Sequence, residues 1–228
     1  MIGIIGAMRV ELDGLRAAMT DTRSVAVSGV EYIQGKIGGR DVVAAMSGVG
    51  KVFAAVCAQT MILRFNVECI INIGVGGTLT KELNVLDIAL ADSVIQHDMD
   101  TSAVGDPVGL ISGINIIRIP ADEALTARLR ACVERLGHRC VVGTIASGDQ
   151  FVASKEKKDD IRAKFDGVIA AEMEGGSIGQ VCYINHVPFA VLRTISDGDG
   201  GGMDYQQFVV KAAETSIAAV IDFIRSYN

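Results

Sequence analysis

Residues 69–77 read Cys69-Ile70-Ile71-Asn72-Ile73-Gly74-Val75-Gly76-Gly77, a short apolar run ending in glycines. A strand apolar on both faces belongs to a sheet covered by helices on both sides. The same grammar recurs along the chain. Ile2–Ile5 runs into Gly6-Ala7-Met8, and Asp41–Met46 into Ser47-Gly48-Val49-Gly50. Cys140–Ala146 runs into Ser147-Gly148-Asp149, and Phe189–Ile195 into Ser196-Asp197-Gly198. Asp87–Ala91 and Gly167–Ala171 are two more strand candidates. Between them lie helical patterns. Pro120–Leu136 repeats Leu125, Leu129, Cys132, Val133 and Leu136 on one face and stops at Gly137; a segment from Asp204 repeats Phe208, Ala212, Val220, Phe223 and Ile224. Strands alternating with helices predict an α/β fold. No repeat, low-complexity tract or Pro/Ser-rich linker divides it, so one domain is expected.

Composition narrows the partners. The 228 residues are 50% hydrophobic, enough for a large core, and carry a net charge of −6 with no long basic run. That argues against nucleic acid or an anionic membrane surface as the main partner. No apolar stretch reaches the roughly 20 residues of a spanning helix, and Arg9, Glu11 and Asp13 interrupt any secretory h-region. The five cysteines are scattered, without a CxxC and apart from the three histidines, so no metal site is expected. Reduced core thiols in a cytoplasmic protein are the expectation.

Glycine-rich strand ends let backbone approach a ligand closely, and ligands of α/β sheets bind outside the carboxyl ends of strands. Five such ends together predict a composite small-molecule site. Two familiar phosphate motifs fail here. In Gly48-Val49-Gly50 the third glycine of a dinucleotide fingerprint is Phe53, and no convincing acidic residue follows about 20 positions on. As a P-loop, the same segment has Ala45 for the first glycine and Val52 for the hydroxyl after Lys51.

Three groups of carboxylates stand in apolar contexts. On a helix beginning about Met8, Met8, Leu12, Leu15, Ala18 and Met19 form one arc, and Glu11 falls inside it. A carboxylate there needs a partner or a raised pKa, unless it sits at the edge of the stripe and reaches water. Glu172 and Glu174, after the apolar strand Gly167–Ala171, project to one side of extended backbone; vicinal hydroxyls of a sugar would supply donors to such a pair. Asp197 follows an apolar strand, with Arg193 on its face, and precedes Gly198, Gly200, Gly201 and Gly202, a run suited to a lid hinge. A structural Asp turn and two solvated strand-end glutamates are the alternatives.

In order along the chain, Gly3–Met8 with Glu11, Ser47-Gly48-Val49-Gly50-Lys51, Ile71–Gly74 before Gly76-Gly77, Ser147–Phe151, Glu172-Met173-Glu174 and Arg193–Asp197 form a set. This set resembles the nucleoside phosphorylase/hydrolase family, specifically its bacterial 5′-methylthioadenosine/S-adenosylhomocysteine nucleosidases. The likeness spans residues 1–228. It implies a single-domain, three-layer α/β/α fold around a central twisted mixed β-sheet, a homodimer, and no metal or organic cofactor. It also implies hydrolysis of the N-glycosidic bond of adenine nucleosides with a 5′-thioether. Glu11 matches the base that activates water and Asp197 the acid that protonates purine N7. Glu174 with Met173 matches the ribose clamp, the Val152 backbone the adenine reader, Phe151 the stacking ring and Gly77 a backbone contact. Met8, Val49 and Tyr205 match the sugar and 5′-tail lining. Glu172, Arg193 and Ser196 complete the expected substrate-binding set.

The sequence departs from the family in places. Val75 stands where a serine often lies near the water or phosphate region, which disfavours a phosphorylase. Thr101 and Val104 replace larger apolar residues that reach a partner's tail pocket in family dimers. A purine nucleoside phosphorylase, a futalosine-type hydrolase and a non-catalytic nucleoside-binding protein are the rival expectations. The last would not need both Glu11 and Asp197.

Overall fold

The first strand, β1 (Ile2–Gly6), is buried along its whole length, and its alternating side chains feed two different cores: Ile2 and Ile4 on one side, Ile5 on the other. The molecule is a computed structural model that describes residues 1–198 and 202–227. β1 lies between two parallel neighbours, β4 (Arg40–Met46) and β5 (Cys69–Thr78). Beyond β4 the sheet runs antiparallel through β3 (Val30–Ile37) to the edge strand β2 (Thr20–Val27). On its other side β5 pairs in parallel with β10 (Phe189–Asp197) and, through Gly77 and Thr78, antiparallel with β9 (Val168–Glu172). β6 (Ile88–Gln96) and β8 (Cys140–Ser147) link β10 to β9, so this half of the mixed sheet closes on itself. The two-residue β7 (Ile119–Pro120) flanks β6.

Helices cover both faces, giving one α/β/α domain in three layers. α2 (Lys51–Phe65) and α5 (Gly175–Ile184) pack Ala54, Cys57, Met61, Ile178 and Cys182 against Ile5, Val43 and Ile70. On the other face α1 (Asp13–Ala17), α3 (Glu123–Arg135) and α6 (Gly202–Ser226) bring Leu15, Leu129, Val133, Val220 and Phe223 onto Ile2, Ile4 and Ile71. α4 (Lys155–Lys164) closes a third cluster with Ile161, beside Leu79, Val152 and Phe165.

Several boundaries differ from the sequence expectation, each for a local reason. The glycines after Ile73 do not end β5; the strand runs on to Thr78 because β10 and β9 pair with it there. Pro120 lies in β7, and α3 starts at Glu123, where the Asp122 side chain accepts from Leu125 N at 2.8 Å. Such caps contribute about 0.5–2 kcal/mol. Leu136 falls beyond α3 and is exposed. The helix expected from Met8 is a 3-10 turn (Arg9–Glu11) followed by the short α1. Of the cysteines, all unpaired, four are buried and Cys140 is half-buried. The glycine-run hinge falls largely on residues 199–201, outside the described residues.

Candidate active site

The carboxyl ends of the strands converge on a cavity of about 670 Å³, mouth included. Glu11 lines it and is only 2% exposed. The 3-10 turn after β1 folds its side chain back beneath the strand end. Oε2 accepts from Ala7 N at 2.7 Å and Met8 N at 2.9 Å, and Oε1 from Val75 N at 3.2 Å. Burial pushes this carboxyl above its ordinary value, while the Arg193 charge and the three amides oppose the rise. The edge position that reaches water is thereby excluded.

Asp197 enters the same cavity from the end of β10 and is equally buried. The β10–β5 register slips between Ile195↔Gly76 and Asp197↔Gly77, which inserts Ser196 as an extra residue. Bulges of this kind re-aim a side chain. Ser196 Oγ donates to Asp197 Oδ1 at 3.2 Å. β5 makes room for both acids by omitting side chains. A Cβ on Gly74 would stand 2.7 Å from Glu11 Oε1, and one on Gly77 2.7 Å from Asp197 Oδ2. Three residue steps of strand separate these glycines, about 10 Å. The two carboxyls thus face the cavity from separated points.

The glutamate pair lines the same cavity. Glu172 ends β9, and the chain turns at Glu174 into α5, so the backbone is not extended through both as the sequence suggested. Glu174 Oε1 accepts from Gly50 N, just before α2, at 2.9 Å. Burial, and then the nearby Glu172 charge, raise its pKa to about 7. Glu172 accepts from Ser147 Oγ, from the amides of Glu174 and Gly175, and from Arg193. Arg193 is 1% exposed and does not line the cavity: its guanidinium also binds Asn72 Oδ1 and lies 3.6 Å from Glu174 Oε2. Asn72 in turn donates to the Ile5 carbonyl at 3.0 Å. Four buried carboxyls, Glu11, Glu172, Glu174 and Asp197, therefore share two buried cations, Arg193 and Lys158. That imbalance favours bound protons and a ligand rich in hydrogen-bond donors.

The remaining lining is apolar. Met8, Val49, Gly77, Phe151, Val152, Met173, Ser196 and Tyr205 all border the cavity with the acids. Phe151 stands edge-on to Tyr205 with ring centroids 5.4 Å apart, and Tyr205 Oη donates to Met8 Sδ at 3.3 Å. Lys51, which a P-loop would send to a phosphate, is paired with Asp98 at 2.6 Å. Thr101 and Val104 are away from the cavity lining, and Val104 is exposed. Among the described residues no group of His, Cys, Asp or Glu is placed to hold a metal ion. Sequence reasoning did not single out Lys158, Ser147 or Asn72 as site-supporting side chains. For Asn72 the signal was a polar residue in an apolar strand; for Lys158 it was its spacing from Ile161 and Phe165, three and seven residues on.

A mixed-sheet α/β/α domain whose strand ends gather buried acids around an apolar, ring-lined cavity is built to bind a nucleoside-sized molecule. The chain belongs to the Phosphorylase superfamily, whose family model matches residues 1–225. It is 35% identical over 227 residues, 99% of each chain, to the 5′-methylthioadenosine/S-adenosylhomocysteine nucleosidase of Staphylococcus haemolyticus. The nucleosidase of the same name from Neisseria meningitidis, solved with methylthio-immucillin-A, superposes with a TM-score of 0.95 at 32% identity, covering 99% of this chain and 98% of that one. A futalosine hydrolase mutant of Helicobacter pylori gives 0.92 at 35% identity, covering 98% and 97%.

Proposed function

We propose that this chain is a hydrolase that cleaves the N-glycosidic bond of 5′-methylthioadenosine and S-adenosylhomocysteine, and of 5′-deoxyadenosine, releasing adenine. The observation that carries the reading is the placement of Glu11 and Asp197 on one cavity from separated points of its wall. Bond breaking leaves oxocarbenium-like charge on the sugar and the C1′–N9 electron pair on the purine. The Asp197 proton passes to N7 and neutralises the leaving base. Water adds its oxygen to C1′ from the opposite face and gives a proton to Glu11. This follows the logic of inverting glycoside hydrolysis, with acid and base on opposite sides. Each such group is worth roughly 10²–10⁴-fold.

The other roles follow from position. Glu174, held by the Gly50 amide, and Met173 clamp the ribose hydroxyls. Phe151 stacks on adenine and the Val152 backbone reads its edge, with the Gly77 backbone beside it. Met8, Val49 and Tyr205 line the sugar and tail. Glu172 and Arg193 serve the substrate by fixing Glu174, and Ser196 by orienting Asp197. No cofactor is required by these steps.

A futalosine-type nucleoside is the second reading, favoured by the likeness to the Helicobacter pylori hydrolase. The exposed apolar residues Val52, Phe53 and Leu63 of α2 support a homodimer in which a second copy covers that face. Unpaired, mostly buried thiols fit a cytoplasmic enzyme, and its thioribose product would feed methionine salvage. Chromatography after incubation with methylthioadenosine, S-adenosylhomocysteine, 5′-deoxyadenosine, inosine or futalosine tests the activity. Free adenine at equal rates with and without phosphate is expected; strict phosphate dependence, or cleavage of inosine alone, contradicts it.

A further inference from the structure

α4 reads Lys155-Glu156-Lys157-Lys158-Asp159-Asp160-Ile161-Arg162-Ala163-Lys164. Its other lysines and its arginine pair on the surface with the helix's own aspartates: Lys155 and Arg162 with Asp159, Lys157 and Lys164 with Asp160. Lys158 does not. It lies on the buried stripe with Ile161 and is 2% exposed. An ammonium there forfeits its hydration and needs compensation. That compensation comes from the end of β10: Nζ donates to the Gly198 carbonyl at 2.6 Å and stands 3.8 Å from Asp197 Oδ2. A Leu or Met would fill the stripe without that demand.

We propose that Lys158 is a positioning residue for the purine-protonating acid: it fixes the backbone after Asp197 and stabilises the carboxylate that Asp197 becomes once its proton has passed to the base. The proposal rests on the hydrolase reading above. A positive charge beside Oδ2 interacts little with a neutral carboxyl and strongly with a carboxylate, so its effect grows as the proton leaves. Among the described residues, the other charged or titratable groups around Asp197 are acids, a phenol, or arginines held elsewhere. Glu11, Glu174 and Glu172 share the cavity wall, Tyr205 faces it from α6, and Arg193 is engaged by Asn72 and both glutamates. Arg162, one helical turn beyond Lys158, is tied to Asp159 and the Leu79 carbonyl. Lys158 is thus the cation within ion-pair distance of the acid among the described residues.

The test is the pH profile of adenine release by the wild type, Lys158→Met, Lys158→Gln and Lys158→Arg. Removing the charge raises the pKa of Asp197, so in the Met and Gln variants the alkaline limb of kcat/KM moves up by about 1–3 pH units. Their kcat at pH 7 falls on the order of tenfold, since a weaker acid transfers its proton less readily. Lys158→Arg returns the limb to its wild-type position. Lys158→Gln keeps an N–H donor for the Gly198 carbonyl and carries the test if the Met variant does not fold. A limb that stays in place in a folded neutral variant overturns the proposal, as does an Arg variant that behaves like Met. Failure of both neutral variants to fold assigns the lysine to the core and overturns it too. A wild type that releases no adenine refutes the hydrolase reading instead.

Discussion

Glu11 and Asp197 are set apart by how each is held. Three main-chain amides surround the Glu11 carboxylate, a cradle that orients a base yet, with burial, leaves its pKa above a glutamate's ordinary 4.5. As the proposed base, Glu11 must be ionised to take a proton from water, so kcat/KM falls on acidification at a pH above 4.5; the pH profile of adenine release measures it, and a limb at or below that value contradicts the dominance of burial over the amides and Arg193. Glu11→Gln and Asp197→Asn each keep the shape of the cavity and remove proton transfer. Each is expected to lower turnover at least 10²-fold while still binding a transition-state analogue, as calorimetry and steady-state kinetics together would reveal. A wild-type rate in either variant removes that residue from its role.

At the scale of elements, β5 and its junction with β10 do most of the positioning. Gly77→Ala sets a methyl group 2.7 Å from Asp197 Oδ2, so the acid must move. On the order of 10²-fold loss of kcat is expected, with a much smaller change in unfolding temperature; unchanged kcat would mean that Asp197 tolerates displacement. The same strand marks where the sequence was and was not legible. Its apolar first half and the acids' apolar contexts were readable, because burial leaves a periodic signature. Its continuation through Gly74–Thr78 was not, because pairing with β9 and β10, distant in sequence, overrides the glycines. β2 was unreadable for another reason: it is a largely exposed edge strand, and the signal lies in the Ser28-Gly29 turn, where both φ angles are positive. α5 opens Gly175-Gly176-Ser177-Ile178-Gly179, a poor helix by propensity. Its glycines let it approach the sheet: a Cβ on Gly179 would meet Val94 at 2.7 Å. Lys158, within a run of charges, carried too weak a pattern to separate it from its solvated neighbours.

For the whole molecule, the buried charges tie stability to pH. Glu174 titrates at about 7 when folded against an ordinary 4.5, so the folded state holds its proton more tightly. Its stabilising share is full below about 4.5 and is lost as pH rises through 7. Glu174→Gln removes this dependence. Its unfolding free energy relative to wild type should therefore rise between pH 5 and pH 8, by at most about 2–3 kcal/mol. Denaturant titrations at the two pH values measure it, and a constant difference would contradict the assignment. The apolar face of α2 makes a second statement at this scale: light scattering should give twice the 24.0 kDa chain, and Phe53→Asp should return the monomer. Underlying all of these is the proposal that the two acids lining one cavity, Glu11 and Asp197, act on a single nucleoside. A crystal structure of Asp197→Asn soaked with 5′-methylthioadenosine examines that directly. One nucleoside should lie in the cavity with the side chain at 197 within hydrogen-bond reach of N7 and Glu11 facing C1′ from the other side. A nucleoside bound elsewhere, or one that reaches only one of the two positions, would contradict the account.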